Sequence, residues 1–162
     1  MTVYAGIDPG KTGAIALIED GRIKAVIDFK DVPMVTQGAI LIPCFDIEEL
    51  RSYGPVIALR EDVSGRGGLY TSNTQSPDRI FSFGVYTGIL SYAIQTAGWQ
   101  VSTINPTSWK SKLKLIGKSD AAIYKFSETL FSDRSSFPKR HDVTDALLLA
   151  YMASKMQVAN SM

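Results

Sequence analysis

The chain has 162 residues, of which 45% are hydrophobic and 20% charged, with a formal net charge of +1. This length and composition predict one globular domain spanning residues 1–162. The single cysteine, Cys44, excludes an internal disulfide and a zinc site built from cysteines, and we expect it to be a small core residue. No apolar run approaches the length of a membrane span, so we expect a cytoplasmic protein.

The sequence patterns predict strands that alternate with helices. Apolar runs bounded by turn residues predict strands over residues 3–7, 14–18, 22–29, 56–59 and 99–104. Capped runs with helical spacing predict helices over residues 47–53, 78–97, a short stretch from 105, 119–131 and 141–156. Residues 30–45, 64–77 and 132–139 are predicted to be irregular connections. This order of elements is typical of an α/β domain.

The first strand predicts an aspartate at the mouth of a sheet. Alternation along the strand puts Tyr4, Gly6 and Asp8 on one face, with little side-chain bulk beside the aspartate. An aspartate before Pro-Gly is also common turn chemistry, and this strand alone leaves both interpretations open. By the same alternation, Lys24 and Asp28 should lie on the solvated face of the third strand.

Further acids stand at the end of a strand and at the start of a helix. The fourth strand runs into Glu61 and Asp62, and the last helix begins with His141, Asp142 and, three residues later, Asp145. Acids in a first turn can serve as helix caps. Asp145, however, is bracketed by apolar residues, and buried acids are usually paired or bind metal. Carboxylates brought together in this way suit Mg²⁺ or Mn²⁺, although spacing alone does not show that they converge.

Five short stretches carry a resemblance to a known family. They are Gly6-Ile7-Asp8-Pro9-Gly10, Ile57-Ala58-Leu59-Arg60-Glu61-Asp62-Val63, Phe81-Ser82-Phe83-Gly84, Pro106-Thr107-Ser108-Trp109-Lys110 and His141-Asp142-Val143-Thr144-Asp145-Ala146-Leu147. In this order they resemble the RuvC family of Holliday-junction resolvases, within the RNase H-like superfamily, and in particular its phage-type branch. Each stretch is weak alone, and the ordered set covers nearly the whole chain.

The resemblance implies a fold, a cofactor and a set of catalytic residues. The fold is a five-stranded mixed sheet flanked by helices, with the first and fourth strands adjacent at its centre. Asp8 would bridge two Mg²⁺ or Mn²⁺ ions, Glu61 would face it, and Asp142 and Asp145 would close the site. Glu61 is preferred over Asp62 by its place in the motif, which periodicity could not decide. His141 is a secondary candidate.

Basic and aromatic residues provide candidate DNA contacts. Lys110, Lys112, Lys114 and Lys118 lie within nine positions, and Arg134, Lys139 and Arg140 precede the acidic helix. Such residues contact phosphate without reading sequence, although a lysine cluster can also be a solvated face. Trp109 is expected to be a core residue that anchors the lysine segment. Cellular members of the family often have an aromatic three residues after the glutamate; this chain has Ser64 there, and Tyr70 is a candidate replacement.

The leading hypothesis is a metal-dependent endonuclease that cuts four-way DNA junctions in recombination, repair or phage DNA processing and leaves 5′-phosphate ends. A homodimer would supply the two sites that paired nicking needs, and the helix over residues 78–97, with its aromatic and small residues, is the predicted interface. The alternatives are a looser nuclease for branched DNA or RNA processing, and a non-catalytic junction binder. A phosphotransferase of the sugar-kinase and actin type also begins with Asp-x-Gly and a hairpin, but 162 residues leave no second domain to close over ATP.

Overall fold

The computed structural model describes residues 1–63 and 76–160, and the elements follow the predicted α/β order. The strands are β1 (Val3–Asp8), β2 (Ala14–Glu19), β3 (Arg22–Asp28), β4 (Met34–Gln37), β5 (Ile40–Pro43), β6 (Val56–Glu61) and β7 (Gln100–Ile104). The α-helices are α1 (Ile47–Ser52), α2 (Pro77–Thr96), α3 (Pro106–Lys112), α4 (Asp120–Leu130) and α5 (His141–Asn160). Helices α1 to α4 each begin at a side chain that accepts a hydrogen bond from a first-turn N–H: Asp46, Ser76, Asn105 and Ser119.

Five strands form one mixed sheet in the order β3-β2-β1-β6-β7. The β3-β2-β1 part is antiparallel, whereas β6 runs parallel to both β1 and β7. The predicted adjacency of the first and fourth strands at the centre is therefore confirmed. Since β1 and β6 are parallel, their carboxyl ends lie at the same edge of the sheet.

The faces of β1 pack against different helices, as strand alternation predicts. Ala5 and Ile7 belong to a core cluster that includes Leu90 and Ile94 of α2. On the opposite face, α5 lies so close to the strand that a Cβ on Gly6 would stand 1.8 Å from the Ala146 carbonyl oxygen. The glycine is needed because α5 lies in this tight contact with the central strand.

The prediction for the third strand is wrong at Asp28, because a register shift interrupts the β2–β3 ladder. Ile18 pairs with Ile23 but Leu17 pairs with Ala25, which leaves Lys24 as an extra residue. A bulge of this kind reverses the alternation beyond it. Asp28 is consequently buried, at 7% exposure, where the sequence predicted solvent.

Two further expectations for the first half of the chain are corrected. Residues 34–43 are not irregular, since β4 and β5 form a two-stranded antiparallel hairpin. Cys44 directly follows this hairpin and is exposed rather than part of the core. Within the described ranges, no helix combines the length and hydropathy that crossing a membrane requires.

Candidate active site

Three elements bring the predicted acids to one edge of the sheet. Asp8 ends β1 and Glu61 ends β6, and the parallel register that pairs Ile7 with Arg60 sets these two ends side by side. The first turns of α5, which packs across β1, carry Asp142 and Asp145. Glu61 is 8% exposed and Asp142 is 7% exposed, so both carboxylates are buried here.

The acids influence one another's ionisation. Burial raises the pKa of Asp8 to about 9 from an ordinary value of 3.8, and the carboxylates of Glu61, Asp145 and Asp142 add to this rise, while Lys110 opposes it. Burial also raises the pKa of Asp145 to about 6, with Lys110 opposing the rise and Glu61 adding to it. Nearby like charges disfavour ionisation in this way. The four acids are therefore one electrostatically coupled group.

Two cationic side chains lie among these acids. The Lys110 Nζ is 3.3 Å from Oδ2 of Asp145. Arg140 donates from Nη2 to Oδ2 of Asp142 at 2.9 Å, from Nη1 to the Asp28 carboxylate, and to the Thr12 carbonyl oxygen. Burial opposes ionisation of Asp28, but hydrogen bonds from Arg140 and from the Lys30 amide keep the pKa of this carboxyl below its ordinary value.

Trp109 is the site residue whose role sequence reasoning missed. It was expected to be a core residue, and it is fully buried. Its indole Nε1 also donates a hydrogen bond of 2.8 Å to Oε1 of Glu61. The sequence signal for this contact is the start of α3, which follows β7 directly at Pro106 and so lies at the same sheet edge as the acids.

His141, the secondary candidate, and Asp62, the acid next to Glu61, have different surroundings. The His141 side chain is 63% exposed, and its Nε2 lies 3.1 Å from Oδ1 of Asp142. The Asp62 backbone N–H bonds to the Ile104 carbonyl oxygen and continues the pairing of β6 with β7.

The predicted DNA contacts fall into separate groups. Lys112, Lys114, Lys118 and Lys139 are exposed. Lys110 and Arg140 lie in the acid cluster instead. Tyr70, and Ser64 where the stacking aromatic is missing, are outside the described residues.

The prediction that Arg134 contacts phosphate is wrong, because its side chain is fully buried. Its guanidinium donates to the Phe137 and Pro138 carbonyl oxygens, to Thr144 Oγ1 at 2.8 Å and to Ser127 Oγ at 3.1 Å. Arg134 thus ties the segment that precedes α5 to α4 and α5.

The donor set fits a hard divalent cation. Four carboxylates meet at one edge. Burial raises the pKa of Asp8 and the neighbouring carboxylates add to this rise, which is the situation that a bound cation relieves. Among residues 1–63 and 76–160, no three His, Cys, Asp or Glu side chains are already arranged as a metal-binding group. Asp142 and Asp145 contact Arg140 and Lys110 instead.

The mixed sheet with helices on both faces and acids at the carboxyl ends of its central strands defines an RNase H-like α/β domain. The structure of T. thermophilus RuvC in complex with Holliday junction substrate matches it with a TM-score of 0.53 and 14% sequence identity, over 100% of this chain and 98% of that one. A Thermus thermophilus RuvC structure matches with a TM-score of 0.49 and 17% identity, over 96% of each chain. No protein-family model and no curated protein matches. The predicted resemblance to RuvC is confirmed at the level of the fold.

Proposed function

We propose that this protein is a divalent-metal-dependent endonuclease that resolves four-way DNA junctions. The observation that carries the proposal is the convergence of Asp8, Glu61, Asp142 and Asp145. Burial raises the pKa of Asp8 to about 9, and the other three carboxylates add to this rise. Four carboxylates in one partly buried pocket lower the stability of a fold, because they repel one another. Carboxylates in such a pocket are the usual ligands of Mg²⁺ in phosphodiester chemistry.

The four acids Asp8, Glu61, Asp142 and Asp145 would hold two Mg²⁺ or Mn²⁺ ions. Ions bound there supply the activation of water and the stabilisation of the leaving oxygen. Water attacks the phosphorus, the bond from phosphorus to the 3′ oxygen breaks, and the products are a 3′ hydroxyl and a 5′ phosphate.

The cations beside the acids have a role before and during this reaction. Lys110 and Arg140 offset part of the repulsion among the carboxylates, and both are close enough to the pocket to meet a phosphate that enters it. The exposed residues Lys112, Lys114 and Lys118 extend the positive charge away from the pocket along one segment, as a DNA backbone contact requires.

A junction must be nicked on two strands, and we propose that a second copy of the chain supplies the second site through α2. Residues 80–97 carry no charged side chain, although Phe81 is 58% exposed and Tyr92 is 67% exposed. Gly84 and Gly88 lie between them on the same exposed face, and an added Cβ at either would meet no atom of residues 1–63 and 76–160 within 4 Å. This face allows a second helix to approach closely.

Light scattering at micromolar concentration tests the dimer. We expect a dimer for the parent and a monomer for the double variant Phe81→Lys, Tyr92→Lys, which should lose paired nicking of one junction. Met156→Lys, an exposed apolar residue of α5, is the matched control and should remain dimeric. A parent that is monomeric and still cuts both strands of one junction would contradict the proposed assembly.

The proposed activity is tested by cleavage of labelled DNA in Mg²⁺, with a four-way junction, a flap and a plain duplex as substrates. We expect cutting of the junction and no cutting of the duplex, and loss of activity when the metal is chelated. Glu61→Gln should abolish cutting, and Asp62→Asn, a change of the neighbouring acid, is its control and should stay active.

The outcomes separate the candidate functions. Equal cutting of flap and junction would favour the looser nuclease for branched DNA. Junction binding with no cleavage in any divalent metal tested would favour the non-catalytic binder. If Asp62→Asn is inactive and Glu61→Gln is active, the proposed ligand set is wrong.

A further inference from the structure

The two tryptophans of the chain are both buried, and each donates its indole N–H to a different kind of acceptor. Trp99 donates to the Leu50 carbonyl oxygen at 3.0 Å, which is ordinary satisfaction of a buried polar group. Trp109 donates instead to a side-chain carboxylate, Oε1 of Glu61, at 2.8 Å. A carboxylate can rotate, so the bond from Trp109 fixes the orientation of the Glu61 side chain. The bond from Trp99 only pairs its N–H with a backbone carbonyl.

The packing around Trp109 makes it a rigid donor. Its side chain is fully buried in a cluster that contains Leu59 of β6 and Leu148 and Leu149 of α5. The strand β6 also carries Glu61, and the helix α5 also carries Asp145. The indole is therefore held between two of the three elements that build the acid site.

The residue that follows Trp109 contacts the next acid. Lys110 lies with its Nζ 5.1 Å from the centre of the Trp109 ring and 3.3 Å from Oδ2 of Asp145. Consecutive residues of α3 thus contact acids on two elements, β6 and α5. This arrangement links the placement of α3 to the geometry of the site.

We propose that Trp109 is a positioning residue, whose indole N–H holds Oε1 of Glu61 so that the second oxygen is presented to a metal ion. The inference rests on the proposed function and goes beyond it, because it assigns a role to a core aromatic. An indole donates a single hydrogen bond, so it orders one oxygen of Glu61 and leaves the other available as a ligand. Partners that orient metal ligands in this way strongly affect metal affinity.

The test replaces the N–H and keeps the shape of the side chain. In β-(benzothiophen-3-yl)alanine a sulfur atom stands in place of the indole N–H, and it can be incorporated at position 109 or, as the matched control, at position 99. Binding of Mn²⁺ to the full chain is followed by the paramagnetic resonance signal of the free ion. We expect the analogue at 109 to weaken Mn²⁺ binding by about 10–100-fold. The analogue at 99 removes a buried hydrogen bond of similar length and should leave the Mn²⁺ affinity unchanged.

A second measurement follows the indole signals of the unmodified protein, and variants serve only to assign them. In ¹⁵N-labelled protein, titration with Mg²⁺ should shift the indole N–H resonance of Trp109 and leave that of Trp99 in place. Trp109→Phe and Trp99→Phe assign the two signals.

The results distinguish this inference from the function on which it rests. If the parent binds Mn²⁺ and the analogue at 109 binds it equally well, the positioning role is wrong while the nuclease proposal stands. An indole signal of Trp109 that does not move at saturating Mg²⁺ would also overturn the role. A parent that binds neither ion overturns the proposed function and this inference with it.

Discussion

The contact between Gly6 and α5 makes a sharp prediction about how the fold holds the acids together. A Cβ added at Gly6 would lie 1.8 Å from the Ala146 carbonyl oxygen, 2.4 Å from the Ala150 nitrogen and 2.7 Å from the Leu149 Cβ. Two of these three atoms belong to the backbone of α5, so a change of side-chain rotamer cannot make room. In Gly6→Ala, α5 must withdraw from β1 by more than about 1 Å to restore contact distances near 3.5 Å.

The size of the effect follows from this geometry. Overpacking a core costs about 1–3 kcal/mol and sometimes more, and a clash with helix backbone on a central strand should lie at the upper end. A loss of about 3 kcal/mol corresponds to a melting temperature lower by about 6–12 °C for a domain of this size. The same movement separates Asp142 and Asp145 from Asp8, and a misplacement of about 1 Å can cost about 100-fold in rate.

The assay combines thermal unfolding with single-turnover cleavage of a junction in Mg²⁺. Gly88→Ala is the matched control for thermal unfolding only, because its added methyl group meets no atom of the described residues within 4 Å, whereas its place on the proposed dimer face rules it out as a control for cleavage. It should raise stability by up to about 1 kcal/mol through helix propensity, with light scattering to check that the oligomeric state is kept. If Gly6→Ala melts like the parent and cuts at the parent rate, α5 does not set the geometry of the acids.

The remaining predictions concern charge. Because burial and neighbouring acids raise the pKa of Asp8 to about 9, the native state loses stability relative to the unfolded chain as the pH rises from 3.8 to 9. Asp8→Asn should therefore stop cleavage yet have a higher melting temperature than the parent in metal-free buffer at pH 7. The gain in free energy of unfolding is at most about 1.4 kcal/mol for each pH unit above 3.8, and a lower melting temperature would contradict this. Replacing Lys112 and Lys114 by Ala should lower the salt dependence of junction binding by about one unit of slope per lost contact, measured by titration at several salt concentrations; an unchanged slope would make them solvated residues. Arg134→Met should lower the melting temperature without altering that slope, since the guanidinium is buried against carbonyl and hydroxyl oxygens, and a changed slope would return it to the DNA surface.

Most of the fold could be predicted because its signals are local. The alternation of β1 located Gly6 and Asp8 on one face, and the N-terminal residues Asp46, Asn105 and Ser119 indicated where α1, α3 and α4 begin. Asp28 was misplaced because the bulge at Lys24 depends on how β3 pairs with β2, and one strand does not carry that information. The prediction for Arg134 is wrong for a similar reason. Its acceptors are hydroxyl and carbonyl oxygens on α4, on the connection before α5 and on α5, and sequence spacing does not show that these come together.

The acids of the candidate site were found by a different route. Strand ends and a helix start supplied candidates, and only the resemblance to a known fold set them in one place and separated Glu61 from Asp62. The partners of those acids could not be predicted in this way. Trp109 reaches Glu61, and Arg140 reaches Asp28 from 112 positions away in the chain, through packing of α3 and α5 on the sheet.

The contacts that surround the acids explain why this pocket is compatible with a stable domain. Asp8 and Asp145 have raised pKa values, so ionising them opposes folding. Trp109, Lys110 and Arg140 each donate to or pair with a different acid. Trp109 is buried in the core, Lys110 lies over the Trp109 ring, and Arg140 also donates to the Thr12 carbonyl oxygen and the Asp28 carboxylate. The repulsion within the pocket is thus opposed by groups that the rest of the fold holds in place. Neutralising one acid should relieve repulsion, whereas removing one of these partners should leave a buried carboxylate unsatisfied, and the two kinds of variant are expected to shift stability in opposite directions.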